Sequence, residues 1–164
     1  MNIDDIGAFV FDFDGVLTNN RVYLNQEGME SVACSRADGL AFDVLRKLNK
    51  PTFILSTEKN SVVTMRAKKL KIQAIQGVSN KVTALLSLIE TKCFNIEKVL
   101  YVGNDLNDYR VMQLCGFTAC PADSHEKIKE ISTIILKSNG GNGVVRELIE
   151  QVMDIDIVKI MYTE

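Results

Sequence analysis

Two carboxylates at the end of an apolar run are the strongest chemical signal in the sequence. The run Ala8–Phe11 leads directly into Asp12, and Asp14 follows two positions later, with Gly15 behind it. A short, uninterrupted apolar run predicts a strand that is buried on both faces, as in a parallel sheet. Because open parallel sheets bind ligands at the carboxyl ends of their strands, we expect both acids to stand at the entrance of a site.

Two neighbouring carboxylates repel each other, and the repulsion raises the pKa of one of them unless a cation lies nearby. Mg²⁺ is suited to that place, since it prefers a few carboxylate oxygens together with water and phosphate oxygens. An Asp carboxylate can also attack phosphorus and form an aspartyl-phosphate. The alternative interpretation of Asp12 and Asp14 is a strand that ends in a loop with two solvated acids.

An alternation of strand and helix patterns predicts the framework that positions these acids. After Asp14 we expect a β-hairpin with strands at 21–24 and 29–33, then a helix that Asp38 caps and that ends at Asn49. The remaining strands are predicted at 52–55, within 71–75, and at 99–103, 117–121 and 132–136. The remaining helices are predicted at 60–70, 81–91, around 111–114, and at 144–153. This order predicts a single α/β domain over residues 1–164, a doubly wound, Rossmann-like parallel sheet with a projecting hairpin.

Polar side chains also follow the other long strands. Ser56 comes after the second strand, Lys81 opens a later helix, and Asn104 follows the strand at 99–103. Each has an ordinary explanation as a helix cap, a turn or a solvated charge. Together they fit phosphoryl transfer, which needs a nucleophile, a cation, and donors for the equatorial phosphoryl oxygens. Ser56 can donate a hydrogen bond, and Lys81 can supply positive charge for the transition state.

Composition narrows the class of partner. The net charge of -2 gives no basic field, so we do not expect a nucleic-acid partner. No apolar run approaches membrane-spanning length, so we expect no membrane partner. Four cysteines without a CxxC pair, beside one histidine, argue against a zinc site and are typical of reduced thiols. An amino terminus without a positively charged leader completes the prediction of a cytoplasmic protein.

The sequence resembles the haloacid dehalogenase-like phosphatases at residues 12–18, Ser56, Lys81 and 103–108. The resemblance implies that Asp12 attacks phosphorus and that Asp14 acts first as general acid and then as general base. It also implies that Ser56 and Lys81 bind the phosphoryl group.

The same resemblance implies Mg²⁺ as the cofactor, with Asp12, the main-chain carbonyl of Asp14, and Asn104 as its protein ligands. Family members usually carry Asp at the position of Asn104. A neutral amide oxygen there predicts weaker Mg²⁺ binding, for which the nearby Asp105 and Asp108 are candidates for partial compensation. A second departure is Thr57, where relatives commonly have Gly, and its side chain is expected to narrow the approach to the phosphate.

Too few residues separate Asp14, Ser56 and Lys81 to form a cap domain. The segments 36–40, 76–81 and 140–147 resemble the capless 2-keto-3-deoxy sugar acid phosphatases, which include 3-deoxy-octulosonate 8-phosphate and nonulosonate 9-phosphate enzymes. This implies a sugar acid phosphate as substrate and a homotetramer in which the hairpin and the tail contact the adjacent subunit. The apolar tail after Asp154 has two interpretations, packing on its own domain or docking on a neighbouring subunit.

The residue at position 58 distinguishes the two expected substrates, an octulosonate 8-phosphate and a nonulosonate 9-phosphate. Octulosonate enzymes commonly carry Arg at this position, whereas nonulosonate-type enzymes pair a Glu here with an Arg and a Lys that match Arg66 and Lys69. Helical spacing puts Arg66 and Lys69 roughly on one face. The resemblance therefore implies that Glu58, Arg66 and Lys69 bind substrate and favours a nonulosonate (sialic acid-type) 9-phosphate. The alternatives are 3-deoxy-D-manno-octulosonate 8-phosphate as substrate, and a solvated basic helix face.

A non-catalytic assembly module, related to the C-terminal domain of sialic acid cytidylyltransferases, is the alternative from a different class. Asn104 supports it, because motifs decay in such modules. Four intact motif residues argue against it: Asp12, Asp14, Ser56 and Lys81. A phospho-receiver domain is disfavoured because its phosphorylated Asp follows the third strand rather than the first.

Overall fold

The computed structural model describes residues 1–162, which fold around one six-stranded sheet. Its strands are β1 (Ala8–Phe11), β4 (Thr52–Leu55), β5 (Gln73–Ile75), β6 (Val99–Val102), β7 (Phe117–Cys120) and β8 (Ile134–Ile135). They lie in the order β5-β4-β1-β6-β7-β8, and every pairing is parallel. The predicted doubly wound, Rossmann-like sheet is confirmed. The projecting hairpin is also present, as the antiparallel pair β2 (Tyr23–Leu24) and β3 (Glu30–Ser31).

Helices cover both faces of the sheet. They are α1 (Arg36–Lys47), α2 (Val62–Leu70), α3 (Lys81–Lys92), α4 (Tyr109–Met112), α5 (Glu126–Ile131), α6 (Val144–Glu147) and α7 (Ile157–Tyr162). Side chains alternate along β1, so that Phe9 and Phe11 enter the core layer under α1, α2 and α6, while Val10 enters the layer under α3, α4 and α5. This two-sided burial explains why β1 is apolar throughout. None of these helices is long and apolar enough to span a membrane.

The register of the sheet brings the polar strand ends together. Phe11 pairs with Ile54 of β4 on one side and with Val102 of β6 on the other. The residues that follow these strands, Asp12, Ser56 and Asn104, therefore emerge at the same edge. Within the described residues, only the hairpin and α1 lie between β1 and β4, and only α2 and β5 lie between β4 and α3. Residues 1–162 thus form no cap domain over this edge.

Local details differ from prediction at the start of α1 and in the hairpin. Ser35, not Asp38, caps α1, because its Oγ accepts the N–H of Ala37 at 3.1 Å. Asp38 lies inside the first turn and is buried, and it accepts the N–H of Arg146 at 3.0 Å. The paired part of the hairpin is shorter than predicted, and all of residues 21–31 are exposed. The closing helix is α-helical only to Glu147 and then continues as a π-helical turn over Leu148–Val152.

The apolar tail packs on its own chain. Ile157 is buried in the core, and the Lys47 ammonium on α1 donates to the carbonyl of Met161 at 2.6 Å. As far as Tyr162, these contacts agree with the interpretation that the tail packs on its own domain. Residues 163–164, the end of the predicted tail, lie outside the described residues.

Candidate active site

The candidate site is built on the turn that follows β1. The N–H of Asp12 donates to the carbonyl of Val102 at 2.9 Å, which continues the parallel ladder and fixes the backbone. Asp12 Oδ1 accepts the N–H of Phe13 at 2.7 Å, and the side chain is buried. Gly15 then takes φ +82°, and a Cβ at this position would collide with the amide of Asn104. Glycine is needed here because the turn lies directly against Asn104.

Lys81 connects two of the acids. Its ammonium lies 2.7 Å from Asp12 Oδ1 and 2.6 Å from Asp108 Oδ1, at the buried first position of α3. Burial alone would lower the pKa of Lys81, but the charges of Asp12 and Asp108 outweigh it, and the net effect raises that pKa. The two acids therefore favour the charged form of Lys81 and fix the position of its ammonium.

Two further hydrogen bonds hold the Asp108 side chain, and one of them comes from Tyr101, a residue that the sequence did not single out. The Tyr101 hydroxyl donates to Asp108 Oδ1 at 2.8 Å, and the N–H of Asn104 donates to Asp108 Oδ2 at 3.0 Å. Burial and the charge of Asp108 raise the pKa of Tyr101 well above its usual value, so the phenol stays a neutral donor. The sequence suggested that Asp108 could help to bind metal; the structure instead uses it to anchor Lys81.

The side chains of Asp12 and Asn104 and the main-chain carbonyl of Asp14 bring three oxygen-bearing groups together. The terminal side-chain atom of Asn104 lies 2.9 Å from the main-chain oxygen of Asp14 and 3.3 Å from Asp12 Oδ2. With the amide nitrogen in this place, Asn104 donates to both acceptors. With the amide oxygen there, three oxygens converge without a donor between them, which is a ligand set that suits Mg²⁺. These residues therefore fit a bound Mg²⁺, although Asn104 contributes no charge.

The donor set depends on amide and main-chain oxygens. Among the described residues, no three His, Cys, Asp or Glu side chains cluster so that they could hold a metal. Asp105, which was a candidate for partial compensation, is exposed at the rim, and its Oδ1 accepts the N–H of Leu106 at 2.7 Å. Burial and the charge of Asp108 raise the pKa of Asp12 well above its usual value, against the effect of Lys81. A divalent cation beside Asp12 would favour its charged form.

Ser56 reaches the same edge from β4. It is buried, and its Oγ accepts the N–H of Glu58 at 3.1 Å, which leaves the hydroxyl proton for a ligand. Burial, followed by the charge of Glu58, raises the pKa of Asp14. Glu58 itself accepts the N–H of Asn60 at 2.7 Å. The structure thus brings Ser56, Glu58 and Asp14 to one rim.

Arg66 and Lys69 do not join this rim within one chain. The Arg66 guanidinium donates to the carbonyl of Ser35 at 2.7 Å, and Lys69 is exposed. Both line a separate cavity of about 270 Å³ between α1 and α2. The helical spacing did predict a common face for them, but that face meets α1. Their role in substrate binding stays a prediction.

Two contiguous cavities open above the site. One, of about 270 Å³, is lined by Asp12, Asp14 and Asn104, and the other, of about 390 Å³, by Lys81. Their shared walls are Thr57, Leu106 and Asn107. An acid that can act as a nucleophile, a fixed cation and a set of metal ligands thus line a space large enough for a small phosphorylated molecule, and Ser56 lies buried at the same edge of the sheet.

Comparison with known proteins agrees with this chemistry. A family model of haloacid dehalogenase-like hydrolases matches residues 42–148. The chain is 32% identical over 146 residues to the 3-deoxy-D-manno-octulosonate 8-phosphate phosphatase KdsC of Salmonella typhi, with 88% of this chain and 78% of the relative covered. KdsC of Escherichia coli (strain K12) matches with the same identity and coverage.

The chain belongs to the haloacid dehalogenase-like hydrolase family.

Solved structures of this hydrolase family have the same fold. The 3-deoxy-D-manno-octulosonate 8-phosphate phosphatase of Moraxella catarrhalis, in complex with magnesium, phosphate and KDO, superposes with a TM-score of 0.87 at 32% identity, covering 92% of this chain and 87% of that one. The Yersinia pestis phosphatase of the same name gives a TM-score of 0.86 at 29% identity, covering 92% and 83%. The resemblance inferred from the sequence is confirmed.

Sequence reasoning missed how the glycine-rich segment of this hydrolase supports the site. The N–H of Gly141 donates to the carbonyl of Val16 at 3.0 Å, and the N–H of Gly140 donates to Asp123 Oδ1 at 2.8 Å. A Cβ on Gly140 would collide with the carbonyl of Gly15. The segment therefore buttresses the turn that carries Asp14. The two consecutive glycines signalled a close backbone approach, but not to which element.

Proposed function

We propose that this hydrolase releases phosphate from a 2-keto-3-deoxy sugar acid phosphate, with 3-deoxy-D-manno-octulosonate 8-phosphate as its first candidate substrate. The observation that carries the proposal is the buried Asp12–Lys81–Asp108 chain beside the oxygens of Asp14 and Asn104. Similarity to the KdsC phosphatases supports the substrate class.

The geometry supports a two-step displacement. A carboxylate oxygen of Asp12 attacks phosphorus, the bond from phosphorus to the sugar oxygen breaks, and Asp14 gives that oxygen its proton. The raised pKa of Asp14 favours the protonated form that this step requires. Asp14 then takes a proton from a water molecule that attacks phosphorus, which releases inorganic phosphate and restores the carboxylate of Asp12.

Ser56 and Lys81 hold the phosphoryl group during both steps. The Ser56 hydroxyl donates to one oxygen, and Lys81, which its two acidic neighbours keep charged, balances the negative charge. Mg²⁺ would be held by Asp12, the main-chain carbonyl of Asp14, and Asn104. When bound there, it supplies further positive charge to the phosphoryl oxygens.

The preference for a nonulosonate 9-phosphate is not confirmed. The relatives described above are named for the octulosonate 8-phosphate instead. Of the three residues behind that preference, only Glu58 lies at the rim, while Arg66 and Lys69 line the cavity beside α1. The nonulosonate 9-phosphate therefore becomes the second candidate substrate. The homotetramer and the cytoplasmic location stay predictions.

Phosphate release from a panel of sugar acid phosphates tests the proposal. The octulosonate 8-phosphate should be hydrolysed fastest, in the presence of Mg²⁺, and Asp12→Asn should abolish release while the protein stays folded. Faster phosphate release from the nonulosonate 9-phosphate would instead make it the preferred substrate, as expected from Glu58. A folded wild-type protein that releases phosphate from no member of the panel, with or without Mg²⁺, would refute the proposal in favour of an assembly module.

A further inference from the structure

An arginine stands beside the phosphoryl-binding residues at the start of α4. Arg110 is the second residue of that helix, and it lines the cavity of about 390 Å³ together with Lys81. Within residues 1–162, no ion pair or hydrogen bond engages its guanidinium. A surface arginine commonly pairs with a nearby acid. Because Arg110 has no such partner in this part of the chain, the N–H donors of its guanidinium are available to a ligand.

The position of Arg110 is fixed relative to the reacting groups. The helix α4 follows directly after Asp108, whose side chain holds Lys81 at 2.6 Å. The N–H of Met112 donates to the carbonyl of Asp108 at 2.9 Å, which closes the first turn of that helix. Asp108 therefore positions both the ammonium of Lys81 and the helical turn that carries Arg110, while the side chain of Arg110 can still change its rotamer.

The charges around the two cavities leave one anion of the substrate without a partner. Among the residues that the structure describes, Lys81 and Arg110 are the only cations that line these cavities, whereas three acids line them with negative charge: Asp12, Asp14 and Asp105. Lys81 already pairs with Asp12 and Asp108, and the proposed function assigns it to the phosphoryl group. A sugar acid phosphate brings a carboxylate as well as a phosphate. Of the two cations that line these cavities, Arg110 is the one without an acidic partner among the described residues.

We propose that Arg110 binds the carboxylate of the sugar acid and thereby selects acidic sugar phosphates over neutral ones. The inference rests on the proposed function, since it assigns a residue to the recognition of that substrate. The planar guanidinium can donate two parallel hydrogen bonds to a carboxylate, which a lysine cannot reproduce. Arg110 is a specificity-determining residue in this account, and the phosphoryl chemistry does not need it.

The experiment compares a phosphorylated substrate that carries a carboxylate with one that has none. Arg110→Ala should lower kcat/KM for the octulosonate 8-phosphate by about 10- to 100-fold, chiefly through KM, since a charge-assisted hydrogen bond of this kind is lost. The same variant should hydrolyse p-nitrophenyl phosphate, which has no carboxylate, at an unchanged rate. Arg110→Lys should recover only part of the loss. Lys92→Ala, which removes one positive charge from the exposed far end of α3, is the control and should behave as wild type.

The outcomes separate this inference from the proposed function. If Arg110→Ala retains full kcat/KM for the sugar acid phosphate, or loses as much with p-nitrophenyl phosphate, Arg110 does not read the carboxylate and the inference is overturned while the phosphatase assignment stands. If the wild-type protein hydrolyses p-nitrophenyl phosphate but no sugar acid phosphate, the proposed substrate class fails and the inference fails with it.

Discussion

The substitution Asn104→Asp should lower the stability of the metal-free protein and strengthen its binding of Mg²⁺. In the metal-free protein the amide nitrogen of Asn104 can donate to the main-chain oxygen of Asp14 and to Asp12 Oδ2, at 2.9 and 3.3 Å. A carboxylate in its place has no proton to donate and adds a negative charge beside Asp12. The wild-type amide thus satisfies both neighbours when no cation is present, and an acid does not.

The size of the destabilisation follows from the distance between the introduced carboxylate and Asp12 Oδ2. Two unit charges 3.3 Å apart repel by about 5 kcal/mol at an effective dielectric constant of about 20. Protonation of the introduced carboxyl at pH 7 costs about 4 kcal/mol, and protonation of Asp12, whose pKa is raised, also relieves the repulsion, so about 4 kcal/mol is the upper bound of the penalty. Since a protein of this length loses about 2–4 °C in Tm for each kcal/mol, the metal-free variant should melt up to about 10 °C below the wild type.

Thermal unfolding in a chelator, followed by a titration with Mg²⁺, measures both effects. Mg²⁺ should raise the Tm of Asn104→Asp more than that of the wild type, and at lower concentration, because a ligand that binds the folded state stabilises it by an amount that increases with the logarithm of its affinity. The matched control is Asn107→Asp, which places the same charge on the same loop at an exposed position. If Asn104→Asp and Asn107→Asp show the same Tm and the same Mg²⁺ response, Asn104 does not face these oxygens.

Two further substitutions test the buried polar groups. Tyr101→Phe removes the hydroxyl that donates to Asp108 and should lower the free energy of unfolding by about 1–3 kcal/mol, measured in urea; an unchanged midpoint would show that this hydrogen bond contributes nothing. Asp38→Asn concerns a carboxyl whose pKa burial raises from 3.8 to about 6. The folded wild-type protein therefore binds a proton more tightly than the unfolded chain, and this contribution is complete below pH 3.8 and is lost as the pH rises through 6. This contribution corresponds to about 3 kcal/mol, so at pH 7 Asp38→Asn should be more stable relative to the wild type than at pH 4. The free energy of unfolding of Asp38→Asn should therefore change less between pH 4 and pH 7 than that of the wild type. An identical change in both proteins would show that the pKa of Asp38 is not raised.

The sequence predicted the sheet well because its central strands are buried on both faces. A strand of this kind is a continuous apolar run that ends abruptly where the backbone leaves the core, as at Phe11 and Asp12. Parallel topology then places the polar ends on one edge, which is why Asp12, Ser56 and Asn104 could be grouped from the order of residues alone.

The remaining features depend on contacts between elements distant in sequence. Ser35 and Asp38 are both good capping residues, and only the N–H of Arg146, on α6, shows why Asp38 is buried instead. The hydroxyl of Tyr101 lies within an apolar strand, where an aromatic residue is expected as part of the core. Helical periodicity grouped Arg66 with Lys69 on one face but carried no information about which element that face contacts.

The most direct test of the central claim is to trap the phosphoryl group on the protein. Wild-type protein that is quenched in acid during turnover of the octulosonate 8-phosphate should carry one phosphoryl group, and reduction of the acyl-phosphate with borohydride should mark the peptide that contains Asp12. Asp12→Asn should carry none. Rapid phosphate release without any labelled protein, or a label on a different residue, would contradict the account.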